Sequence, residues 1–161
     1  IFKIKEWRNA QLDILRQEKP LTDEAQQNYY KNVISPAFSK EEPEQLLFSF
    51  LFNGECIGYG GLVHINWQNK TAEMSFLVDP ERIKDDELYK KEFSIFIDLI
   101  KQVGFGVLGF KKITTETYDI RPKHIKISEA NGFRLEKRLK NKVKINGKRV
   151  DSLIHILDQN Y

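Results

Sequence analysis

The chain has a single cysteine in 161 residues, Cys56, and no apolar run that approaches the length of a membrane-spanning helix. One cysteine excludes an internal disulfide and a thiolate metal cluster, so we predict neither a disulfide scaffold nor a bound metal. A bilayer span needs about 20 consecutive apolar residues, and we therefore predict no membrane span. Because no secretory signal is recognisable either, we expect a reducing, cytoplasmic setting.

Internal repeats, low-complexity tracts and linkers rich in Gly, Ser or Pro are also missing from the sequence. Nothing in the composition marks a domain boundary, so we predict one domain over residues 1–161. The hydrophobic fraction of 40% and the charged fraction of 30% are ordinary for a globular protein. A chain of this length can bury a substantial core.

The net charge is only +3, but the basic residues concentrate near the C-terminal end. Between Arg134 and Arg149, eight basic residues accompany one acid, Glu136. The segment is either a solvated hairpin face or an electropositive wall that attracts an anionic cofactor or a nucleotide-linked substrate. A nucleic-acid partner is a weaker interpretation, because aromatic residues are not interleaved with these charges as a stacking platform requires.

The hydrophobic period changes from helical to extended along the chain. The first forty residues predict two helices, the second capped by Thr22 and ended by Ser35-Pro36. Three antiparallel strands are predicted within residues 46–67 and 71–78, and a long helix over 86–108 follows them. A strand over 111–118, a short helix over 122–131 and a final hairpin over 133–157 complete the order. Glycines at 58, 60 and 61 indicate a bulge or a close backbone approach. This order predicts an α/β fold with a mixed sheet.

Three segments, LGFKKITTE, EANGFRLEKRL and INGKRVDSLIH, resemble those of the GNAT superfamily of acyl-CoA-dependent N-acyltransferases. The resemblance covers nearly the whole chain. Its C-terminal half is similar to the branch of ribosomal-protein alanine acetyltransferases, in which GF precedes a strand and an NG-x-x-VD hairpin. Its front end, EWRN followed by LRQ, is similar to members that acetylate nucleotide-activated amino sugars. The resemblance implies a central, mostly antiparallel twisted sheet with flanking helices, whose fourth and fifth strands splay apart.

Residues 72–78 and 111–118 correspond to the two splayed strands of that family. The resemblance implies that the pantetheine arm of acetyl-CoA enters the gap and hydrogen-bonds to unpaired backbone groups as an extra strand would. The main chain of Phe76, Leu77 and Val78 is then expected to hold the arm. The backbone N–H of Leu77 or Val78 is expected to bind the developing oxyanion.

The sequence departs from the family at the turn that binds the cofactor's pyrophosphate. The family has Q/R-x-x-G-x-G/A there, whereas residues 80–87 contain no glycine. Acidic residues at a helix start repel a diphosphate, so we expect Arg82 and Lys84 to supply the charge through side chains. A second departure lies on the helix after the fifth strand of the family fold. Arg121 occupies the position of the Asn that contacts the cofactor in the family, and Ser128 occupies the position where the family frequently has Tyr.

Acyl transfer to an amine needs a deprotonated amine, a place for the oxyanion and a proton for the leaving thiolate. Glu73 corresponds to the general base of several family members, or is a surface charge that balances a lysine. His64, on the neighbouring strand, is either a second base or a structural histidine. His124 lies near the thioester sulfur or on the surface. Tyr118 and Ser128 are the hydroxyls that could protonate the thiolate, and the sequence does not rank them.

We therefore expect an acetyl-CoA-dependent N-acetyltransferase that works by direct attack, without a covalent enzyme intermediate. The preferred acceptor is a small-molecule amine, that of a nucleotide-linked amino sugar. A protein N-terminus is the alternative acceptor, and a homodimer is left open. A non-catalytic binding module of the same fold is a further alternative, motivated by the glycine-free segment 80–87.

Overall fold

A computed structural model describes residues 1–15, 17 and 19–159, and its centre is one six-stranded sheet. The strands are β1 (Leu46–Phe52), β2 (Glu55–Asn66), β3 (Thr71–Val78), β4 (Lys112–Tyr118), β5 (Arg134–Ile145) and β6 (Lys148–Asp158). Their spatial order is β1-β2-β3-β4-β6-β5, and every neighbouring pair is antiparallel except β3 and β4, which are parallel. The predicted mixed, mostly antiparallel sheet is confirmed.

Within the described part of the chain, six α-helices flank the sheet: α1 (Phe2–Asn9), α2 (Asp23–Tyr29), α3 (Ser35–Ala37), α4 (Pro80–Ile83), α5 (Asp86–Lys101) and α6 (Pro122–Ala130). A 3₁₀ turn covers Leu12–Ile14, and π-helical turns cover Tyr30–Ile34 and Gln102–Val107. No helix of the described residues is long and apolar enough to cross a membrane.

The prediction that Ser35-Pro36 ends the second helix is wrong. Helical backbone runs from Asp23 through the π-helical turn to Ala37. Pro36 is the second residue of α3, and its missing N–H leaves one helical hydrogen bond unmade after the π-helical turn. The wider π-helical turn before it relieves the clash that proline causes inside a regular helix.

Helix α5 packs its apolar side across the sheet and forms the centre of the core. Phe93 and Ile97 are fully buried, and the ring of Phe93 stacks on Phe76 of β3 at 4.9 Å between centroids. Phe96 packs on the same Phe76 ring at 4.4 Å. Burial of each such side chain contributes about 1.5–3 kcal/mol relative to exposure. This packing fixes the start of α5 beside the C-terminal end of β3.

Strands β3 and β4 separate after a short paired stretch. Their pairing is limited to Thr71↔Lys112, Ala72↔Ile113 and Glu73↔Thr114. Beyond that point β3 stays paired with β2 as far as Val78, and β4 stays paired with β6 as far as Tyr118. The predicted splay is therefore present, between the third and fourth strands of this chain, since no strand precedes β1 among the residues described.

The glycines of β2 lie where the neighbouring backbone comes very close. A Cβ atom on Gly60 would lie 2.2 Å from the carbonyl oxygen of Ser75 in β3, so only glycine fits there without a shift. Further along, the β2–β3 register changes between Val63 and Asn66, and His64 adopts a positive φ of 48°. The predicted close approach and a bulge are both present, and the bulge redirects His64.

Candidate active site

The separation of β3 and β4 opens a cavity of about 410 Å³, which we call the central cavity. Strand β3 contributes Glu73 to its wall, β4 contributes Thr115 and Tyr118, and the start of α6 contributes Arg121. The N-terminal segment closes another side with Arg8, Ile14 and Leu15. A ligand in the gap and a ligand that enters beside the N-terminal segment therefore meet in one space.

His64 and Glu73 form a hydrogen-bonded pair on the wall of the central cavity. The distance from His64 Nδ1 to Glu73 Oε2 is 2.8 Å. The Glu73 side chain is 14% exposed and that of His64 is 70% exposed, so the pair reaches from the cavity wall to solvent. An ionised carboxylate can only accept a hydrogen bond. When Glu73 is ionised, Nδ1 of His64 therefore carries the hydrogen, and Nε2 is the basic nitrogen of the neutral ring.

The main-chain groups of β3 alternate in direction, and this decides which of them face the gap. Asp79 donates its N–H to the carbonyl oxygen of Ile57 at 2.9 Å, which continues the β2–β3 ladder. In an antiparallel pair every second residue directs its N–H and C=O to the partner strand. Leu77 therefore faces β2, contrary to the expectation that its main chain lines the gap. Phe76 and Val78 face β4 across the gap.

The two helix starts after β3 are capped by the chain's own aspartates. Asp79 accepts the N–H of Glu81 at 3.0 Å, and Asp85 accepts the N–H of Leu88 at 3.0 Å. The predicted phosphate contact Lys84 bonds to Glu81 at 2.6 and 2.7 Å. The backbone donors that a diphosphate would use at these helix starts are thus partly taken by carboxylates.

Arg82, the other predicted phosphate contact, is held by a buried acid. Its Nε lies 2.8 and 3.0 Å from the two carboxylate oxygens of Glu92, and its Nη2 also bonds to Glu92. These hydrogen bonds raise the pKa of Arg82 despite its partial burial. The gap between the strands suits a pantetheine arm, whereas the turn that follows β3 does not form the amide cradle expected for a diphosphate.

A buried polar cluster lies where α5 meets α6. The Tyr89 hydroxyl is 2.7 Å from His124 Nδ1, and Arg121 Nη2 is 3.3 Å from the same nitrogen and 3.5 Å from the tyrosine oxygen. His124 stacks on Phe93 at 4.2 Å and is buried rather than on the surface. Burial lowers the pKa of His124 well below its usual value, so the ring is neutral and Nδ1 accepts.

The two hydroxyls proposed as proton donors have different positions. Tyr118 is 8% exposed and lines the central cavity. Ser128 is 1% exposed, and its Oγ donates to the carbonyl oxygen of His124 at 3.0 Å within α6. Ser128 does not line the central cavity, whereas Tyr118 is next to Thr115 and Glu116 on its wall.

Three residues of the site were missed from the sequence. Arg8 donates to Gln17 at 2.8 Å and to the Tyr59 hydroxyl at 3.3 Å, and Glu116 accepts from Ser152 Oγ at 2.7 Å. Glu116 carries a usable signal, because it is a charged residue within the strand that neighbours the predicted base strand. Arg8 and Tyr89 carry none, since their helical surroundings give no indication of a cavity.

A second cavity of about 810 Å³, the hairpin cavity, adjoins the first and shares Leu15, Glu116 and Tyr118 with it. Its other walls include Asp13 and, from the β5–β6 hairpin, Lys142 and Lys144. Within the basic segment, Arg134 pairs with Asp158, and Arg138 pairs with Asp119 and Asp151. The segment is therefore partly a neutralised hairpin face and partly a basic wall.

A family model and several solved structures are similar to this chain. The model of the acetyltransferase (GNAT) domain matches residues 1–154. The spermidine N-acetyltransferase from Vibrio cholerae in complex with CoA and spermine has a TM-score of 0.83 at 20% identity, over 98% of this chain and 88% of that one. Mutant forms of the spermidine/spermine N-acetyltransferase SpeG from the same organism have a TM-score of 0.78 at 21% identity, over 98% and 87% of the two chains.

A probable acetyltransferase is also similar in fold, with a TM-score of 0.68 at 16% identity over 83% of this chain and 73% of that one. No curated protein sequence matches the chain. Identities this low establish the fold, and the predicted fold class is thereby confirmed. Because the family model extends over nearly the whole chain, the protein belongs to the GNAT family of acetyl-CoA-dependent N-acetyltransferases.

Proposed function

We propose that the chain transfers the acetyl group of acetyl-CoA directly to the primary amine of a nucleotide-linked amino sugar. The observation that carries this proposal is the His64–Glu73 pair, whose atoms are 2.8 Å apart on the wall of the central cavity. This cavity lies between the separated strands β3 and β4 and adjoins the hairpin cavity, which contains both acidic and basic residues. Direct attack requires both substrates in one space, which the adjoining cavities supply.

The donor side of the proposal uses the gap between β3 and β4. Phe76 and Val78 direct their main chain across that gap and are suited to hold the pantetheine arm. The Val78 N–H then serves as oxyanion donor, in preference to that of Leu77, which faces β2. A preorganised donor of this kind is worth about 10²–10³ in turnover in acyl-transfer enzymes.

The acceptor amine has to lose its proton before it can attack. An alkyl ammonium has a pKa near 10.4, so only about one molecule in a thousand is neutral at pH 7. Glu73 and His64 act together in the proposal: His64 Nε2 takes the proton, and Glu73 stabilises the imidazolium through Nδ1. The bonded geometry supports this division of roles better than a base role for either residue alone.

The charges of the hairpin cavity favour an acceptor that carries both signs. Asp13 and Glu116 can attract an ammonium group, and Lys142 and Lys144 can attract a phosphate. A volume of about 810 Å³ is also sufficient for a nucleotide-linked sugar. A polyamine such as the spermine bound by the V. cholerae enzyme is cationic along its whole length, and the two lysines repel it. A protein N-terminus lacks the phosphate that would use them.

The proposal is tested with the purified chain, acetyl-CoA and three acceptors: a nucleotide-linked aminodeoxy sugar, spermidine and a peptide with N-terminal alanine. Release of free CoA is measured for each. We expect the highest kcat/KM for the nucleotide-linked sugar, by about tenfold, which corresponds to a difference of about 1.4 kcal/mol in binding free energy from the two lysines together. A higher kcat/KM for spermidine or for the peptide contradicts the acceptor. Absence of acetyl-CoA binding in a calorimeter favours the non-catalytic module.

A further inference from the structure

Acyl transfer leaves negative charge on sulfur, and the central cavity has to accommodate it. When the C–S bond of the thioester breaks, its electron pair stays on sulfur, and a thiolate in a cavity with little water is unstable unless a donor or a cation meets it. Two arginines among the described residues line this cavity, Arg8 and Arg121. Arg8 belongs to the N-terminal segment and bonds to Gln17, which lines the hairpin cavity. Arg121 is the N-cap residue of α6, three residues after the end of β4.

Among the residues that the structure describes, Arg121 has no acidic partner. Its side-chain hydrogen bonds lead to Tyr89 and His124, both of them neutral, and no carboxylate among the described residues forms an ion pair with it. Burial lowers the pKa of Arg121, as expected for a guanidinium removed from water without an anion beside it. A charge held in this way is normally destabilising, so an anion supplied by a ligand would relieve the cost.

Ser128, one of the two hydroxyls expected to protonate the leaving thiolate, is not in the cavity, whereas Tyr118 lines it. Ser128 stands at the position of the family's frequent tyrosine, yet its Oγ donates to the His124 carbonyl and the residue is 1% exposed. A serine side chain is also too short to reach out of that buried site. Arg121, about two helical turns earlier on the same segment, does line the cavity.

We propose that Arg121 receives the negative charge on the sulfur of the departing CoA, a role that the buried Ser128 cannot fill. The inference rests on the proposed acetyl transfer and names one of its catalytic residues. The bond from the amine nitrogen to the acetyl carbon forms, the C–S bond breaks, and its electron pair stays on sulfur beside the guanidinium. His64 passes the proton of the ammonium group to solvent before the attack, the proton that nitrogen loses as the amide forms passes to the His64–Glu73 pair, and solvent later protonates the released thiolate.

Tyr89 and His124 position the guanidinium. The neutral His124 ring offers Nδ1 as an acceptor, and the Tyr89 oxygen lies 2.7 Å from the same nitrogen and 3.5 Å from Arg121 Nη2. Because both are neutral, they fix the direction of the arginine without cancelling its charge. A carboxylate in either place would neutralise Arg121 before any ligand arrived.

The test uses CoA itself as the probe, so it needs no knowledge of the acceptor. The thiolate of bound CoA is titrated by its ultraviolet absorbance, with the protein alone subtracted to remove Cys56 and the tyrosines. An opposite charge within about 4–6 Å lowers a pKa by 1–3 units, so the bound thiol should contain at least tenfold more thiolate than free CoA at the same pH. Arg121→Gln should abolish that difference, and Arg121→Lys should retain part of it.

Arg8→Gln is the matched control, because it removes the other arginine that lines the cavity among the described residues. Circular dichroism and thermal unfolding establish that each variant is folded. If bound CoA titrates alike in wild type and Arg121→Gln, or if Arg8→Gln has the same effect, the assignment to Arg121 is overturned while the proposed function stands. If the wild-type chain binds no CoA at all, both are overturned.

Discussion

The hydrogen bond between His64 and Glu73 depends on the backbone angle of one residue. His64 has a φ of 48°, in a region that costs a non-glycine residue about 1–2 kcal/mol, and the β2 bulge makes it possible. In a regular strand alternate side chains point to opposite faces, so without the bulge the ring would have a different direction. Local strain of this kind is typical of functional sites.

Glu73→Gln should lower kcat by about 10²–10³ and leave the affinity for acetyl-CoA nearly unchanged, because general-base catalysis contributes factors of that size. Glutamine keeps the volume and a hydrogen-bond acceptor for His64 but cannot stabilise an imidazolium. Steady-state kinetics and calorimetry measure the two quantities. Glu55→Gln, at an exposed position of β2, is the control and should retain wild-type turnover. Wild-type turnover in Glu73→Gln would exclude the proposed role of Glu73 in stabilising the His64 imidazolium.

His124 should make the stability of the fold depend on pH. Its pKa is about 6.5 in the unfolded chain and lies well below that in the folded protein, mainly through burial and then through Arg121 and His155. Folding therefore excludes a proton that the unfolded chain binds. This contribution is fully present above about pH 6.5 and is lost as pH falls from there towards the folded pKa, by at most about 1.4 kcal/mol per unit.

Denaturant unfolding of His124→Gln between pH 7.5 and 5 checks this slope. The variant should lose less stability on acidification than the wild type, whatever its stability at pH 7.5. Tyr89→Phe removes the hydroxyl at 2.7 Å but leaves His124 buried, so it should keep the wild-type slope. Equal slopes in wild type and His124→Gln would show that His124 is not the group responsible.

Sequence reasoning at the level of single residues located polar groups but not their partners. Glu73 and His64 were found because each is a titratable residue within a strand, yet their contact depends on a register change that no local pattern encodes. Tyr89 was missed because a tyrosine on the apolar side of α5 has the spacing of an ordinary core residue. Its hydroxyl acquires a role only when α6, more than thirty residues later, brings His124 to it.

Among the elements, the start of α5 departs most from what the family requires. Glycines at this turn let backbone N–H groups approach a diphosphate, whereas here Lys84 and Asp86 occupy the turn and Asp86 pairs with Lys123 of α6. The departure was visible in the sequence, since residues 80–87 contain no glycine. That Arg82 turns to Glu92 was not, because Glu92 is ten residues away on the buried side of α5.

The variant Asp86→Gly should bind acetyl-CoA more tightly, by roughly fivefold, because removal of one acid from a helix start is worth up to about 1 kcal/mol for an anionic ligand. Asp85, which caps α5, stays in place. Acetyl-pantetheine, which has no phosphate, is the control ligand, and its affinity should not change. An equal gain for both ligands, or none for acetyl-CoA, would show that this turn does not approach the diphosphate.

At the scale of the whole molecule, the sequence predicted the sheet and its gap but not the hairpin cavity. Strands and the Asn-Gly turns follow from local patterns, and the gap followed from the family resemblance. The hairpin cavity joins Asp13 to Lys144, which are far apart in the chain, so its shape depends on how the N-terminal segment folds back. Asn9 contributes to that fold-back: it accepts the N–H of Leu21 at 2.7 Å and donates to the Leu21 carbonyl at 2.9 Å.

If the mixed charge of the hairpin cavity selects the acceptor, then replacing its lysines by acids should change which acceptor is preferred. Lys142→Glu/Lys144→Glu should lower kcat/KM for a nucleotide-linked amino sugar by about tenfold or more and raise it for spermidine, since both charges reverse beside the bound ligand. Lys137→Glu/Lys140→Glu, on the exposed part of β5, changes the net charge equally and serves as the control. If either double variant lowered kcat/KM for both acceptors, the effect would come from the overall electrostatic field of the protein rather than from the hairpin cavity. If only the Lys142→Glu/Lys144→Glu variant changes the preferred acceptor from the nucleotide-linked sugar to spermidine, the β5–β6 hairpin determines acceptor choice.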